Sequence, residues 1–286
     1  MISQKNPTVS GLKALSSLLK RAPETSSYFK FLPESTLIQV KTEKSHKNPL
    51  PDLSLKELFG KIDDSWYLDV FSKFSTADLA FYLSLFPQKK GRILSDKLSL
   101  ELPLYSFSHD FEIYSLNLLF NQIFQSAPPL PLSYLPDFPL SFLMEGNSEK
   151  LHKLCFYLGL FDVTSELKSV INGAILKQIE KSLFTDEVTF CREISEFRHI
   201  LSLGLIGLAT WNEDSDLLRK VIFERGLYRL SIALSEATDD FIWYIHHMLN
   251  KESAIKILNF SKTPNDLKAI GIALEQTLIA WKGIVL

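Results

Sequence analysis

A cluster of prolines constrains the fold of this chain more than any other feature of its sequence. Five prolines fall within twelve residues, at positions Pro128, Pro129, Pro131, Pro136 and Pro139. Proline has no backbone N–H, and its ring clashes with the preceding helical turn, so a segment this rich in proline cannot be helical. The cluster therefore predicts an extended connector over residues 126–140, between a helical module at 51–125 and a larger helical module at 141–286.

The segments that flank the connector show helical periodicity. In Asp110–Gln125 the apolar residues recur every three or four positions, which predicts a helix that ends before the prolines. Ser54 and Glu57 have the spacing of a capping box, which predicts the start of another helix. In the N-terminal segment, 1–50, which we expect to be partly loop, the alternating stretch Thr36–Lys41 is consistent with one short strand. The fold class that we expect is mainly α.

An apolar run at residues 199–212 contains no acidic residue and no lysine or arginine. It is too short to span a membrane and predicts a buried helix. Within it, Gly204 and Gly207 would allow another helix to pack closely.

The overall composition is that of a globular protein with no strong electrostatic preference for its partners. Of the 286 residues, 46% are hydrophobic and 22% are charged, and the formal net charge is −2. This balance gives no reason to expect binding to nucleic acid or to an anionic membrane. We expect no direct membrane insertion, because no segment is long and apolar enough. The N-terminus lacks the pattern of a secretory signal, which predicts a cytoplasmic protein.

The residue types that usually carry catalysis or hold metal ions form no convincing set. The chain has two cysteines and six histidines, without a zinc motif or a phosphate-binding glycine loop. His152 and Cys155 lie one helical turn apart and would suit a thiolate–imidazole pair, but we favour a buried cysteine beside a half-buried histidine. We therefore expect no metal ion, no cofactor and no enzymatic activity. An all-helical enzyme with a pocket assembled from distant residues is the less favoured alternative.

One candidate contact region is basic. Lys89, Lys90 and Arg92 lie within four positions of one another. Such a cluster is either a solvated helix face or a site for an anion or a partner protein. We include these three residues among the candidate partner-binding residues.

The other candidate contact region is aromatic. Phe241, Trp243 and Tyr244 are too close in sequence for all three to face one core from a helix, so we expect part of the group to be exposed. Exposed aromatic clusters usually mark a protein contact, although packing between two internal domains explains the pattern equally well. We assign Phe241, Trp243, Tyr244 and His247 to this region.

Two segments of the chain have leucines and other apolar residues at the same spacing, Leu79–Leu98 and Leu230–Leu249. In each segment this spacing predicts a helix, a turn and a second helix. Either an internal duplication or the common period of amphipathic helices accounts for the similarity.

From Ala233 onward, the second segment also resembles a helical unit of the flagellar motor switch proteins of the FliG family. The residues in register with the family's pattern are Ala233, Leu234, Ala237, Asp239, Asp240, Ile245, Met248, Leu249, Asn250 and Ala254. The chain departs from the family where asparagine and arginine are favoured, at Met248 and Glu252.

This resemblance implies a place in the cytosolic ring beneath a bacterial type III secretion apparatus. Non-flagellar systems place an SctK-type adaptor there, which links the membrane ring to the cytosolic sorting platform. A rotary role is not expected, because Ile270–Leu286 contains only Glu275 and Lys282 as charged residues. The expectation is a non-enzymatic adaptor or scaffold, held at the cytosolic face of the inner membrane by membrane-ring and cytosolic-ring proteins. The alternative is a helical binding module or chaperone for secreted effectors.

Overall fold

The computed structural model describes residues 33–36, 38, 53–100, 105–125, 129–197, 201, 203–211, 214–261 and 266–285. Helices dominate this part of the chain and it contains no strand, which confirms the mainly α fold. Thr36 and Ile38 lie in a helical segment, so the predicted strand is wrong for these two residues; the other residues of Thr36–Lys41 are outside the described part. No helix among the described residues is long and apolar enough to cross a membrane.

Twelve α-helices are used as landmarks below. They are α1 (Leu55–Lys61), α2 (Ser65–Phe71), α3 (Thr76–Leu85), α4 (Gln88–Lys97), α5 (His109–Phe124), α6 (Ser148–Leu167), α7 (Gly173–Lys181), α8 (Thr185–Ile194), α9 (Ser215–Ala233), α10 (Asp239–Met248), α11 (Lys251–Ser261) and α12 (Leu267–Val285). Short 3-10 helices cover Leu132–Tyr134, Ser141–Glu145 and Leu208–Thr210.

The structure divides into two compact units. Unit 1 consists of the chain up to Ser141 together with Thr238–Tyr244, and unit 2 consists of Phe142–Ala237 and the chain from Ile245 onward. The first division lies at the end of the proline-rich segment. Thr238–Tyr244, however, was expected in the second module and belongs to unit 1. The Tyr244 hydroxyl contributes to this packing by donating a hydrogen bond to the Leu130 carbonyl oxygen, at 2.9 Å.

The described part of the proline-rich segment is irregular and partly buried. Its described part, 129–140, contains the 3-10 turn Leu132–Tyr134, and the side chains of Leu132, Leu135 and Leu140 are buried. Prolines exclude a regular helix, but they do not prevent an irregular chain from burying the leucines between them. The described part of the segment therefore contributes buried leucines to the fold, and its role as a connector between two modules stays a prediction.

Unit 1 has an aromatic core. The Phe86 ring meets the rings of Phe59 and Tyr67 edge to face, at centroid distances of 5.3 and 4.9 Å. The Tyr67 hydroxyl donates to the Phe59 carbonyl oxygen at 2.7 Å, and burial raises the Tyr67 pKa well above its usual value. Edge-to-face rings stabilise each other beyond the area that they bury. Helix α1 enters this core through the predicted capping box, in which the Ser54 N–H donates to the Glu57 carboxylate at 2.8 Å.

Unit 2 is organised around α6 and α9, which approach each other backbone to backbone. A Cβ atom added to Gly159 would lie 1.8 Å from the Ile222 carbonyl oxygen, and one added to Gly226 would lie 1.5 Å from the Cys155 carbonyl oxygen. Only glycine permits this approach. The close crossing brings long polar side chains of α9 next to α6.

One of these polar side chains is Arg229, which is completely buried. Its guanidinium forms an ion pair with Asp162 of α6, and donates to the side-chain oxygen of Gln276 at 2.5 Å and to the Leu201 carbonyl oxygen at 2.7 Å. Burial raises the Asp162 pKa and lowers the Arg229 pKa, because low-dielectric surroundings disfavour both charged forms. Removing either partner would leave the other charge buried without a counter-ion, which would destabilise the folded protein.

The described part of the apolar run at 199–212 is a loop followed by the short 3-10 helix Leu208–Thr210, so the predicted buried helix is wrong for these residues. Gly204 and Gly207 have positive φ angles of 84° and 94°, which fit a loop. The buried Glu166 carboxylate accepts the N–H groups of three consecutive residues from Ile206, each at 2.7 Å. The prediction failed because the backbone donors of this loop are satisfied by a carboxylate from α6, so the loop itself needs no polar side chains.

Candidate protein-binding surfaces

The aromatic residues chosen from the sequence do not form an exposed surface. Phe241, Tyr244 and His247 are 1%, 6% and 7% exposed, respectively. Trp243 is half-buried, and its indole stacks on Phe120 of α5 at 5.9 Å. The expectation of an exposed cluster here is corrected, because α10 has packing neighbours on more than one side.

The basic cluster is also dispersed. Lys89 and Arg92 are exposed, but Lys90 points inward and forms an ion pair with Asp64. Lys97 reaches the other oxygen of the same carboxylate at 2.7 Å. Burial alone would raise the Asp64 pKa, but the two ammonium groups outweigh it and lower the pKa below its usual value. Only two of the three cations therefore point toward solvent.

A different set of aromatic side chains is partly exposed on unit 1. We call it the aromatic surface, and it consists of Phe74, Phe81, Tyr82, Tyr105, Phe107 and Phe111. Phe81 contacts three of the other members, with ring centroids 5.0 Å from Tyr82, 5.2 Å from Phe107 and 5.9 Å from Phe111. Phe74 packs against Tyr82, and Tyr105 against Phe107. Tyr105 and Phe111 remain 50% and 46% exposed. Contiguous exposed rings on a soluble protein usually mark an interaction site.

Local structure fixes the aromatic surface in place. The Ser84 hydroxyl accepts the Tyr105 N–H at 2.8 Å and donates to the Ala80 carbonyl oxygen at 2.6 Å, so it ties the segment before α5 to α3. Phe107 then packs against Phe111 in the first turn of α5, with the ring centroids 5.5 Å apart. Rings held in this way lose little further freedom when a partner binds.

Unit 2 carries a cleft of about 640 Å³. At its wall, the Arg219 guanidinium lies between the rings of Phe156 and Phe184, at 4.2 and 4.4 Å, and binds both oxygens of Glu187 at 2.8 Å. Phe184 is 65% exposed, and the neighbouring His152 stacks on Phe223 at 4.1 Å. The cleft thus combines apolar faces with charged groups.

Most charged groups that line the cleft are paired with one another. Lys153 contacts Asp186 at 3.0 Å, and Lys256 lies between Glu224 and Glu252, at 2.9 and 2.8 Å. A hydrogen bond from the Tyr157 hydroxyl, together with Lys153, lowers the Asp186 pKa, and Lys256 lowers the Glu252 pKa. A carboxylate with a lowered pKa stays ionised at neutral pH and cannot serve as a general acid. These ion pairs present both positive and negative groups at the cleft, where they can contact charged and hydrogen-bonding groups of a ligand.

The candidate nucleophile Cys155 is inaccessible. Its side chain is completely buried, and burial raises the pKa of the thiol. A buried thiol with a raised pKa is unreactive at neutral pH. Burial also raises the pKa of Cys191. No group of His, Cys, Asp and Glu side chains suited to a metal ion occurs among the described residues.

Several of the residues that resemble the flagellar switch family fill packing positions. Ile245, Met248, Leu249 and Ala254 are each at most 2% exposed. They therefore account for a helix–turn–helix arrangement but do not form a surface. No protein family model, curated protein or solved structure matches this chain.

Proposed function

We propose that this protein is a non-enzymatic adaptor that binds other proteins through the aromatic surface of unit 1. The aromatic surface is the single observation that carries the proposal. Large, rigid rings bury much area at a low entropic cost, and they dominate the affinity of many protein interfaces. The residual exposure of Tyr105 and Phe111 leaves area for a partner to cover.

The setting that we propose is the cytosolic platform of a bacterial type III secretion apparatus. The FliG-like residues from Ala233 to Ala254 support this setting. Its partners would be a membrane-ring protein and a cytosolic-ring protein, which would hold the adaptor at the cytosolic face of the inner membrane. Neither nucleic acid nor direct membrane insertion has a part in this proposal.

The test is a pull-down of platform components by a Tyr105→Ala, Phe107→Ala double variant of the full chain. Loss of two anchor rings should weaken the affinity for the partner at this surface about tenfold or more. Leu205→Ala is the matched control, because Leu205 is 80% exposed on unit 2 and lies outside the aromatic surface. Circular dichroism and thermal melting would establish that all variants fold.

Two outcomes would contradict different parts of this proposal. Full retention of every partner by the double variant would exclude the aromatic surface as the interface. Capture of proteins other than secretion components, with the same loss in the double variant, would retain the adaptor role and exclude the secretion platform.

The cleft of unit 2 favours a second candidate function, a binding module or chaperone for secreted effectors. An unfolded effector segment offers apolar and charged side chains together, and the cleft presents both types of group. Phe184→Ser should then reduce binding to the effector while the Tyr105→Ala, Phe107→Ala variant retains it. The opposite pattern would favour the adaptor.

A further inference from the structure

Five rings of the aromatic surface form a continuous row on unit 1. From Tyr105 the row passes through Phe107, Phe81 and Tyr82 to Phe74, with successive ring centroids 6.2, 5.2, 5.0 and 5.0 Å apart. The planes of successive rings are inclined to one another by 31° to 72°. Each of the five side chains is exposed or half-buried. The row is therefore a ridged strip of rings, and none of its members is charged.

Two phenol hydroxyls are the polar side-chain groups of this row. The hydroxyls of Tyr82 and Tyr105 form no hydrogen bond with another described residue. Tyr105 is 50% exposed, and the Tyr82 hydroxyl is accessible although the side chain is half-buried. A phenol hydroxyl without a partner inside the protein is a hydrogen-bond donor available to a ligand.

We propose that the aromatic surface binds a proline-rich segment of its partner in the polyproline II conformation. The inference rests on the proposed function, because it names the class of ligand that the same surface takes. A proline residue has a carbonyl oxygen but no backbone N–H, and polyproline II contains no internal hydrogen bonds, so its carbonyl oxygens remain free acceptors. The two phenol hydroxyls supply donors for such a backbone, and the rings supply apolar contact area.

Complementary partial charges favour this ligand over other peptide conformations. The face of an aromatic ring carries negative partial charge, which attracts the positively polarised C–H groups next to the proline nitrogen. A helical ligand has already bonded most of its carbonyl oxygens internally, so it offers the phenols few main-chain acceptors. An extended ligand that adds to a sheet needs the edge of a strand to bind its N–H groups, and the described part of the chain contains no strand.

The length and rigidity of the row also suit a short polyproline II segment. The four steps from Tyr105 to Phe74 amount to about 20 Å along the rings, which about six residues of polyproline II would cover at about 3.1 Å per residue. The Ser84 hydroxyl fixes the Tyr105 end of the row by accepting its N–H. Because the row and the ligand are both ordered before they meet, binding costs little conformational entropy.

Titration of the full chain with a fluorescently labelled decaproline peptide, followed by anisotropy, tests the inference. The wild type should bind decaproline, and a glycine–serine peptide of equal length should bind at least tenfold more weakly. Tyr82→Phe, Tyr105→Phe removes both hydroxyls but keeps both rings, and it should weaken decaproline binding about tenfold. Tyr114→Phe is the matched control and should bind as the wild type does, because Tyr114 is 62% exposed in unit 1 but lies outside the aromatic surface.

Three results would overturn the inference: no binding of decaproline by the wild type, equal binding of the glycine–serine peptide, or unchanged affinity in Tyr82→Phe, Tyr105→Phe. Its failure is distinguishable from failure of the proposed function. If Tyr105→Ala, Phe107→Ala loses a partner in the pull-down but the wild type does not bind decaproline, the adaptor role stands and the proline-rich ligand is excluded. If decaproline binds but the alanine variant retains every partner, the peptide site stands and the adaptor role of this surface is excluded.

Discussion

The two units use different means to hold their helices together. Unit 1 has phenylalanine and tyrosine rings both in its core and on its surface, and its rings contact one another edge to face. Unit 2 brings α6 and α9 into backbone contact at Gly159 and Gly226 and places a buried ion pair beside that crossing. Ring contacts depend on apolar area, whereas the crossing depends on particular residues with few substitutes.

This difference suggests a division of roles. An aromatic core that continues to the surface leaves some rings accessible to a partner. On unit 1, Phe81, Tyr105 and Phe107 are such rings. A crossing fixed by two glycines and a buried arginine restricts how α6 and α9 can move, because their arrangement has no close alternative. We therefore infer that unit 1 is suited to binding and α6 and α9 of unit 2 to rigidity.

The largest effect should come from replacing a crossing glycine. Gly226→Ala would place a Cβ atom 1.5 Å from the Cys155 carbonyl oxygen, so α6 and α9 must separate along their length. We expect a loss of about 4 kcal/mol or more in the free energy of unfolding, measured by urea denaturation.

Two glycines provide graded controls for this prediction. In unit 1, Gly91→Ala would place its Cβ atom 2.7 Å from the Leu83 carbonyl oxygen, and a smaller loss of about 1–3 kcal/mol should follow. Gly271 of α12 has no atom within 4 Å of an added Cβ, so Gly271→Ala should stabilise the protein by about 0.5–1 kcal/mol. Equal effects at Gly226 and Gly91 would remove the proposed contrast between the units.

The next largest effect concerns the buried ion pair. Arg229→Met leaves the Asp162 carboxylate buried without its counter-ion, and should cost about 3–5 kcal/mol of stability in denaturant unfolding. The double variant Arg229→Met, Asp162→Leu removes both charges and should recover much of this loss. A double variant less stable than Arg229→Met alone would show that the buried Asp162 carboxylate does not need Arg229 to compensate its charge, contrary to our inference.

The sequence predicted the helices more successfully than the surfaces. Helical spacing and capping residues report on local structure, so the capping box at Ser54 and the helix before the prolines were predictable. Whether a ring is buried depends on which helix packs over it, and neighbouring positions in sequence do not reveal this. Part of the group Phe241, Trp243 and Tyr244 was therefore expected to be exposed, whereas Phe241 and Tyr244 are buried and Trp243 packs on Phe120. The exposed rings of Tyr105 and Phe111 were missed.

The polar contacts of unit 2 were invisible in the sequence for a similar reason. Arg229 and Asp162 are far apart in the chain, and the close crossing at Gly159 and Gly226 brings their helices together. No local pattern pairs a particular arginine with a particular aspartate. The density of phenylalanine and tyrosine before α5 was the one available signal for the aromatic surface, since so many rings exceed what a small core can enclose.

The smallest effect that we predict is a pH dependence in unit 2. Burial lowers the pKa of His246 below its usual value of 6.5, because the charged imidazolium is poorly solvated there. The unfolded chain therefore binds a proton at a higher pH than the folded chain does. The stability associated with neutral His246 is present above pH 6.5 and is lost as the pH falls below it.

His246→Gln removes this titration and should flatten the dependence of the unfolding free energy on pH between 7 and 5. Unfolding by urea at several pH values measures the slope for the wild type and the variant, so any other groups that titrate in this range contribute equally to both. His109→Gln is the control, since His109 is an exposed residue at the start of α5 in unit 1. A steeper slope in His246→Gln than in the wild type would mean that the folded protein favours the protonated imidazole, contrary to the burial of this side chain.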